Sequence, residues 1–128
     1  MEGICMTNQG RCFHYHDIPN EPFGDEAPGV KIRVLIDEGE DGSPYYVLRM
    51  IEIEPGGHTP YHSHPFEHEN FVLTGRGYLT IADKKWLIGP GYVAYVPSGV
   101  PHMYECVGDE VFSFLCGIPA SRLRGSNP

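Results

Sequence analysis

Glycine and proline cut this chain into pieces too short for most helices. Its 128 residues include 16 Gly and 12 Pro, set between apolar stretches rather than gathered in a low-complexity run. No stretch of ten or more residues free of Gly and Pro repeats its apolar side chains with a period near 3.6. What remains are short segments that alternate or are rich in β-branched and aromatic residues: "VKIRVLI" (30–36), "YYVLRMIEIE" (45–54), "NFVLTG" (70–75), "GYLTIAD" (77–83), "KKWLIGPG" (84–91), "YVAYVP" (92–97) and "VFSFLCGIP" (111–119). "DEGEDGSP" (37–44) reads as a turn, and Pro55-Gly56-Gly57 ends the second strand. Short strands with turn signals between them predict an all-β sandwich or barrel, with room for a cavity between its sheets.

The length suits one domain. Residues 1–29, rich in turn formers, read as an N-terminal arm and lead-in strand. Residues 30–119 read as the barrel, and 120–128 as a flexible tail. Net charge is −8 and no Lys/Arg cluster is present, which argues against a nucleic-acid partner. The first residues, "MEGICMTNQGRCF", lack a basic start and an apolar signal core. No apolar run approaches the ~20 residues of a membrane span, so the expectation is a cytoplasmic protein without a membrane partner. In that compartment Cys5, Cys12, Cys106 and Cys116, with no CxxC among them, are expected to be free thiols.

Residues 62–69, "HSHPFEHE", place three histidines and two glutamates within eight residues. On a strand, side chains at i and i+2 share a face, so His62 and His64 are expected to point inward together. His68 has their parity, whereas Glu67 and Glu69 have the opposite one. The third ligand is therefore expected to be His68. A lone His102 follows the turn Pro97-Ser98-Gly99 and begins a further strand, where a hairpin-like return can bring it to the other three. "HYH" (14–16) copies the HxH pattern with no third ligand at useful spacing, so it reads as surface or interface. His58 has the parity of His62 but sits in a turn, and reads as a loop histidine.

These two segments resemble the paired motifs of the cupin superfamily. Gly56, five residues, His62-x-His64, three residues, His68, six residues and Gly75 follow the first motif, with histidine where the family usually has glutamate. Gly91, Pro97, Gly99 and His102 follow the second, with Cys106 where asparagine usually stands. The motifs are fifteen residues apart, as in compact single-domain microbial cupins, and the resemblance spans residues 28–119. It implies a cupin jelly roll. More narrowly, "HSHPFEHENFVLTGRG" followed by "FLCGIP" is similar to small tetrahistidine cupins that bind manganese. That likeness implies one divalent metal per chain, manganese first, held by His62, His64, His68 and His102. It also implies a dioxygenase-type oxidative C=C or C–C cleavage of a small organic substrate, and a homodimer.

Imidazole ligands also suit Fe, Ni, Cu and Zn. An all-histidine set leaves the full charge on the ion, which favours Lewis-acid chemistry on anionic or enolate groups. The alternatives to an oxygenase are thus a non-redox isomerase, decarboxylase or lyase of a small oxo or hydroxy acid, or a cupin that binds a small ligand without turnover. Parity supplies the candidates for chemistry beside the ion. Tyr104 shares the face of His102, Cys116 lies on the face of Phe112 and Phe114, and Arg49 shares the inner face of Ile51 and Ile53. An inward arginine needs either an internal carboxylate or a substrate carboxylate as partner.

Overall fold

A computed structural model describes residues 10–124. Within the described residues nine antiparallel strands form two sheets. β1 (Glu21–Pro22), β2 (Val30–Ile36), β3 (Tyr46–Ile53), β4 (His68–Thr74), β7 (Val93–Val96) and β9 (Phe112–Pro119) make a six-stranded sheet in the order β1-β2-β3-β9-β4-β7. β5 (Arg76–Ile81), β6 (Lys84–Ile88) and β8 (His102–Val107) make a three-stranded one in the order β6-β5-β8. Placing β9 between β3 and β4 is a crossover that interlocks the two ends of the barrel, as in a jelly roll. Among the described residues no helix is long and apolar enough to cross a membrane.

The core lies between the sheets. Ile53, Val72, Phe112 and Phe114 are almost fully buried, and each stabilises the fold by about 2–3 kcal/mol through lost apolar surface. Across the six-stranded sheet the inward residues run in rungs. Ile51 faces Phe114, which faces Val72; one rung further, Arg49 faces Cys116, which faces Asn70. The first rung is apolar and the second is polar.

β2 departs from simple alternation. A register shift between Val34 and Ile36 turns Leu35 inward at 7% exposure and leaves Val34 at 42%. A bulge of this kind inserts one residue and reverses which parity faces the core. The segment expected as a turn after β2 also gains a short helix, α1 (Glu38–Asp41). Asp37 caps it by accepting from the Glu40 amide at 2.7 Å, and Gly42 ends it at φ +67°. The lead-in packs against the barrel: β1 pairs with β2, and Ala27 is buried. Cys5 and residues 125–128 of the expected tail lie outside the described residues.

Candidate metal centre and its cavity

Two chain segments hold the histidines. His62 and His102 form an isolated antiparallel bridge, each backbone amide donating to the other's carbonyl at 3.1 and 2.9 Å. The Gly99 amide donates to the His64 carbonyl at 2.8 Å, tying the same loop to the turn before β8. His68 opens β4 and pairs with Val96 of β7. The expectation that His62 and His64 sit on a strand is corrected: they lie in the loop between β3 and β4, with only the His62 bridge extended. Pro60 and Pro65 flank them and have no amide to give to a ladder. Strand parity does hold from His68 onward, where His68 and Asn70 are buried and Glu67 and Glu69 are exposed.

The four rings nonetheless converge. Ligand nitrogens of His62, His64 and His102 lie within 4.8 Å of one another. His68 joins through His102, Nε2 to Nε2 at 3.1 Å, with its ring centroid 5.3 Å from that of His64. Two tautomers follow from partners that can only accept. His64 Nδ1 donates to the Phe66 carbonyl and His102 Nδ1 donates to the Val100 carbonyl, both at 2.9 Å, so each neutral ring keeps a lone pair on Nε2.

Burial keeps all four rings uncharged. It pushes His68 down to about 2, with the neighbouring His102 and His64 adding to the effect, and His102 down to about 4. His62 and His64 are lowered for the same first reason. Four clustered imidazoles, two of them with the Nε2 lone pair fixed by an Nδ1–H bond, and no acid among the cavity walls suit a divalent transition metal. The buried Nδ1 of His68 has no hydrogen-bond partner.

The rings open into a cavity of about 270 Å³. Arg49, Tyr104 and Cys116 all line it, so every residue singled out for chemistry comes to the place where the histidines meet. Tyr104 stacks on Phe114 with centroids 4.5 Å apart and donates to Asn70 Oδ1, while Asn70 Nδ2 donates to the Leu115 carbonyl. Burial raises the Tyr104 phenol well above its ordinary value, so it is a proton donor and not a phenolate at neutral pH. Reading the sequence alone missed Phe23, Thr59 and Phe66 among the cavity walls, and Asn70, which is not a wall but bonds Tyr104. Parity with His68 points to Asn70. Nothing in the lead-in marks Phe23.

The remaining candidates stand apart. His58 donates from Nδ1 to the Thr59 carbonyl and is not among the cavity walls. His14 stacks on Tyr15 and His16 packs against both rings at a tilt, and among the described residues they belong to no metal-holding group. Cys12 is exposed, Cys106 donates to the Glu110 carbonyl and Cys116 is buried; these three are free thiols, as expected.

Residues 49–118 match the family model described as a cupin domain. The chain is a cupin. This cupin is 31% identical to the polyketide cyclase RemF from Streptomyces resistomycificus, with a TM-score of 0.82 over 93% of this chain and 82% of that one. Its fold also follows a cupin-2 domain from Rhodospirillum rubrum, at 22% identity and a TM-score of 0.78, over 98% of this chain and 81% of that one. Among curated proteins it is 31% identical over 81 residues to 1-methylthio-D-xylulose 5-phosphate methylsulfurylase of the same organism. That match covers 63% of this cupin and 52% of the relative. The chain thus spans about half the length of that relative. It is 28% identical over 109 residues to the oxalate decarboxylase OxdC of Bacillus subtilis, covering 80% of this cupin and 28% of the relative.

Proposed function

We propose that this cupin is a cytoplasmic metal-dependent enzyme that carries out non-redox chemistry on a small, oxygen-rich carbonyl compound, making or breaking a C–C or C–O bond. The observation that carries the reading is the cluster of four neutral imidazoles at one end of a cavity that has room for a substrate. His62, His64, His68 and His102 would hold the ion, and the resemblance favours manganese. A divalent ion bound there supplies Lewis-acid polarisation of a carbonyl or enolate oxygen.

The chain's own residues do the rest. Phe23, Ile51, Phe66 and Phe114 exclude water and pack the carbon frame. Tyr104 donates its one hydroxyl proton to Asn70 Oδ1, and in the reaction that hydrogen bond would be exchanged for one to a developing oxyanion. The polyketide cyclase, the decarboxylase and the methylsulfurylase among the similar proteins carry names of the non-oxygenase kind, which supports this reading.

The oxygenase reading is the second. It draws on one specific feature: apart from the histidines, the cavity walls offer no ordinary general base, and oxidative cleavage asks less of one. Turnover of a panel of β-keto acids, β-diketones and aryl alkenes, measured under argon and under air, separates the two. The non-redox reading expects equal rates in both gases. A rate that disappears under argon and consumes oxygen under air would replace it with the oxygenase.

The same proposal takes two copies of the chain. β7 ends the six-stranded sheet, and on or beside this edge Val93 is 72% exposed, Tyr95 54% and Phe71, paired with Val93, 46%. An apolar edge strand of this kind is normally covered. Light scattering at micromolar concentration is expected to give twice the chain mass, and the chain mass itself would contradict the dimer.

A further inference from the structure

Arg49 sits in the cavity without the partner a guanidinium requires. It stands on β3 in the polar rung Arg49–Cys116–Asn70, and its side chain lines the same space as the four histidines. One nitrogen, Nη2, donates to Cys116 Sγ at 3.0 Å, and a thiol sulfur is a weak acceptor. Nε is buried and bonded to nothing. Among the described residues no carboxylate forms an ion pair with it. Asp37 and Glu38 border a separate groove that Arg49 also touches, but Asp37 accepts from Glu40 and Glu38 accepts from Ser121. Glu52 on the same strand pairs with Arg33, and Glu54, just after the strand, pairs with Lys31.

A fold gains nothing from a cation placed this way. Desolvating a charge is costly, and the cost is ordinarily met by an internal acid. Here the cavity walls contain no Asp or Glu at all. A guanidinium with free N–H groups in an acid-free cavity is a seat for a planar, two-oxygen anion.

We infer that Arg49 is the specificity-determining residue of this site, binding the carboxylate of a small oxo or hydroxy acid while the other oxygens of that acid face the histidine cluster. The inference rests on the metal-enzyme reading for its reaction but not for its binding step. The cavity volume of about 270 Å³ lies just below the usual range for drug-sized ligands, which limits the acid to a few carbons beyond its carboxylate. Cys116 holds the guanidinium in place from the neighbouring strand and is a positioning residue.

The test uses pyruvate as the acid and methyl pyruvate as its neutral counterpart, titrated calorimetrically into the full-length protein both as purified and after chelation, with metal content measured on each sample. Wild type is expected to bind pyruvate at least tenfold more tightly than the ester. Arg49→Met is expected to lose that preference, bind the ester within twofold of wild type and keep its metal. Arg49→Lys, with charge but no fork, is expected to keep only part of the preference. Wild type with no preference, or Arg49→Met with the preference intact, overturns the inference. Wild type that carries no metal as purified and still prefers pyruvate overturns the metal-enzyme reading and leaves this one standing, whereas a preference that survives chelation of a metal-bearing protein supports both. Thermal unfolding of Arg49→Met, expected at or above the wild-type midpoint, shows that the lost preference is not lost folding.

Discussion

Gly75→Ala will cost the fold about 3–5 kcal/mol and lower the midpoint of thermal unfolding by roughly 12–20 °C. Two effects add at this position. The backbone lies at φ +72°, where any side chain is strained by about 1–2 kcal/mol. A Cβ built there would also stand 2.2 Å from the Val111 carbonyl oxygen and 2.8 Å from the Phe112 Cα, so the backbone entering β9 must move. Because β9 is the strand between β3 and β4, that movement reaches both rungs beneath the cavity. Gly56, the other end of the first motif, is the control. Its φ is +85° but nothing lies within 4 Å of the added carbon, so Gly56→Ala should lose only about 1–2 kcal/mol. Differential scanning calorimetry of the two variants checks the difference. Equal losses would mean that backbone conformation alone, and not the close approach to β9, accounts for the glycine at 75.

The contrast between these glycines shows what can be read from the letters and what cannot. The motif marks both with the same residue, yet one is required by dihedral angle alone and the other also by a strand passing against it. That strand is more than thirty residues away in the chain, so no local pattern announces it. The strands themselves were legible because their alternation is local: β2 matches residues 30–36 at both ends. Its bulge was not, since one inserted residue leaves the composition of the segment unchanged. For the histidines the outcome is divided. His68 and Asn70 follow from β4 parity, and Tyr104 from that of β8. His62 and His64 reach the cluster by a different route, through a loop closed by the His62–His102 bridge between two prolines. Their motif spacing places them in the cluster, although they stand in a loop and not on a strand. Arg49 was placed inward by parity, but whether an acid waited for it depended on every other wall of the cavity.

His68→Ala will lose the ion, and Glu69→Ala will keep it. The two residues are neighbours in the sequence, and the usual family pattern has a glutamate in this region, so the pair separates two ligand sets cleanly. His68 is 3% exposed, points into the cavity and sits 3.1 Å from the Nε2 of His102. Glu69 is exposed on the outer face, opposite Tyr95 and Gly117 of the flanking strands. Loss of outer hydrogen-bond partners of metal ligands costs about 10–100-fold in affinity, and loss of a ligand itself should cost more than the upper figure. Glu69→Ala removes a solvated charge from the sheet surface, and its metal affinity should stay within about threefold of wild type. Circular dichroism of both variants guards against reading an unfolded barrel as an empty site.

The most direct measurement is therefore elemental analysis of wild type, His68→Ala and Glu69→Ala, each purified without added metal and passed through gel filtration. The four-imidazole centre predicts about one transition-metal ion per chain in wild type and in Glu69→Ala, and almost none in His68→Ala. Equal metal in the two variants, or none in wild type, would contradict it.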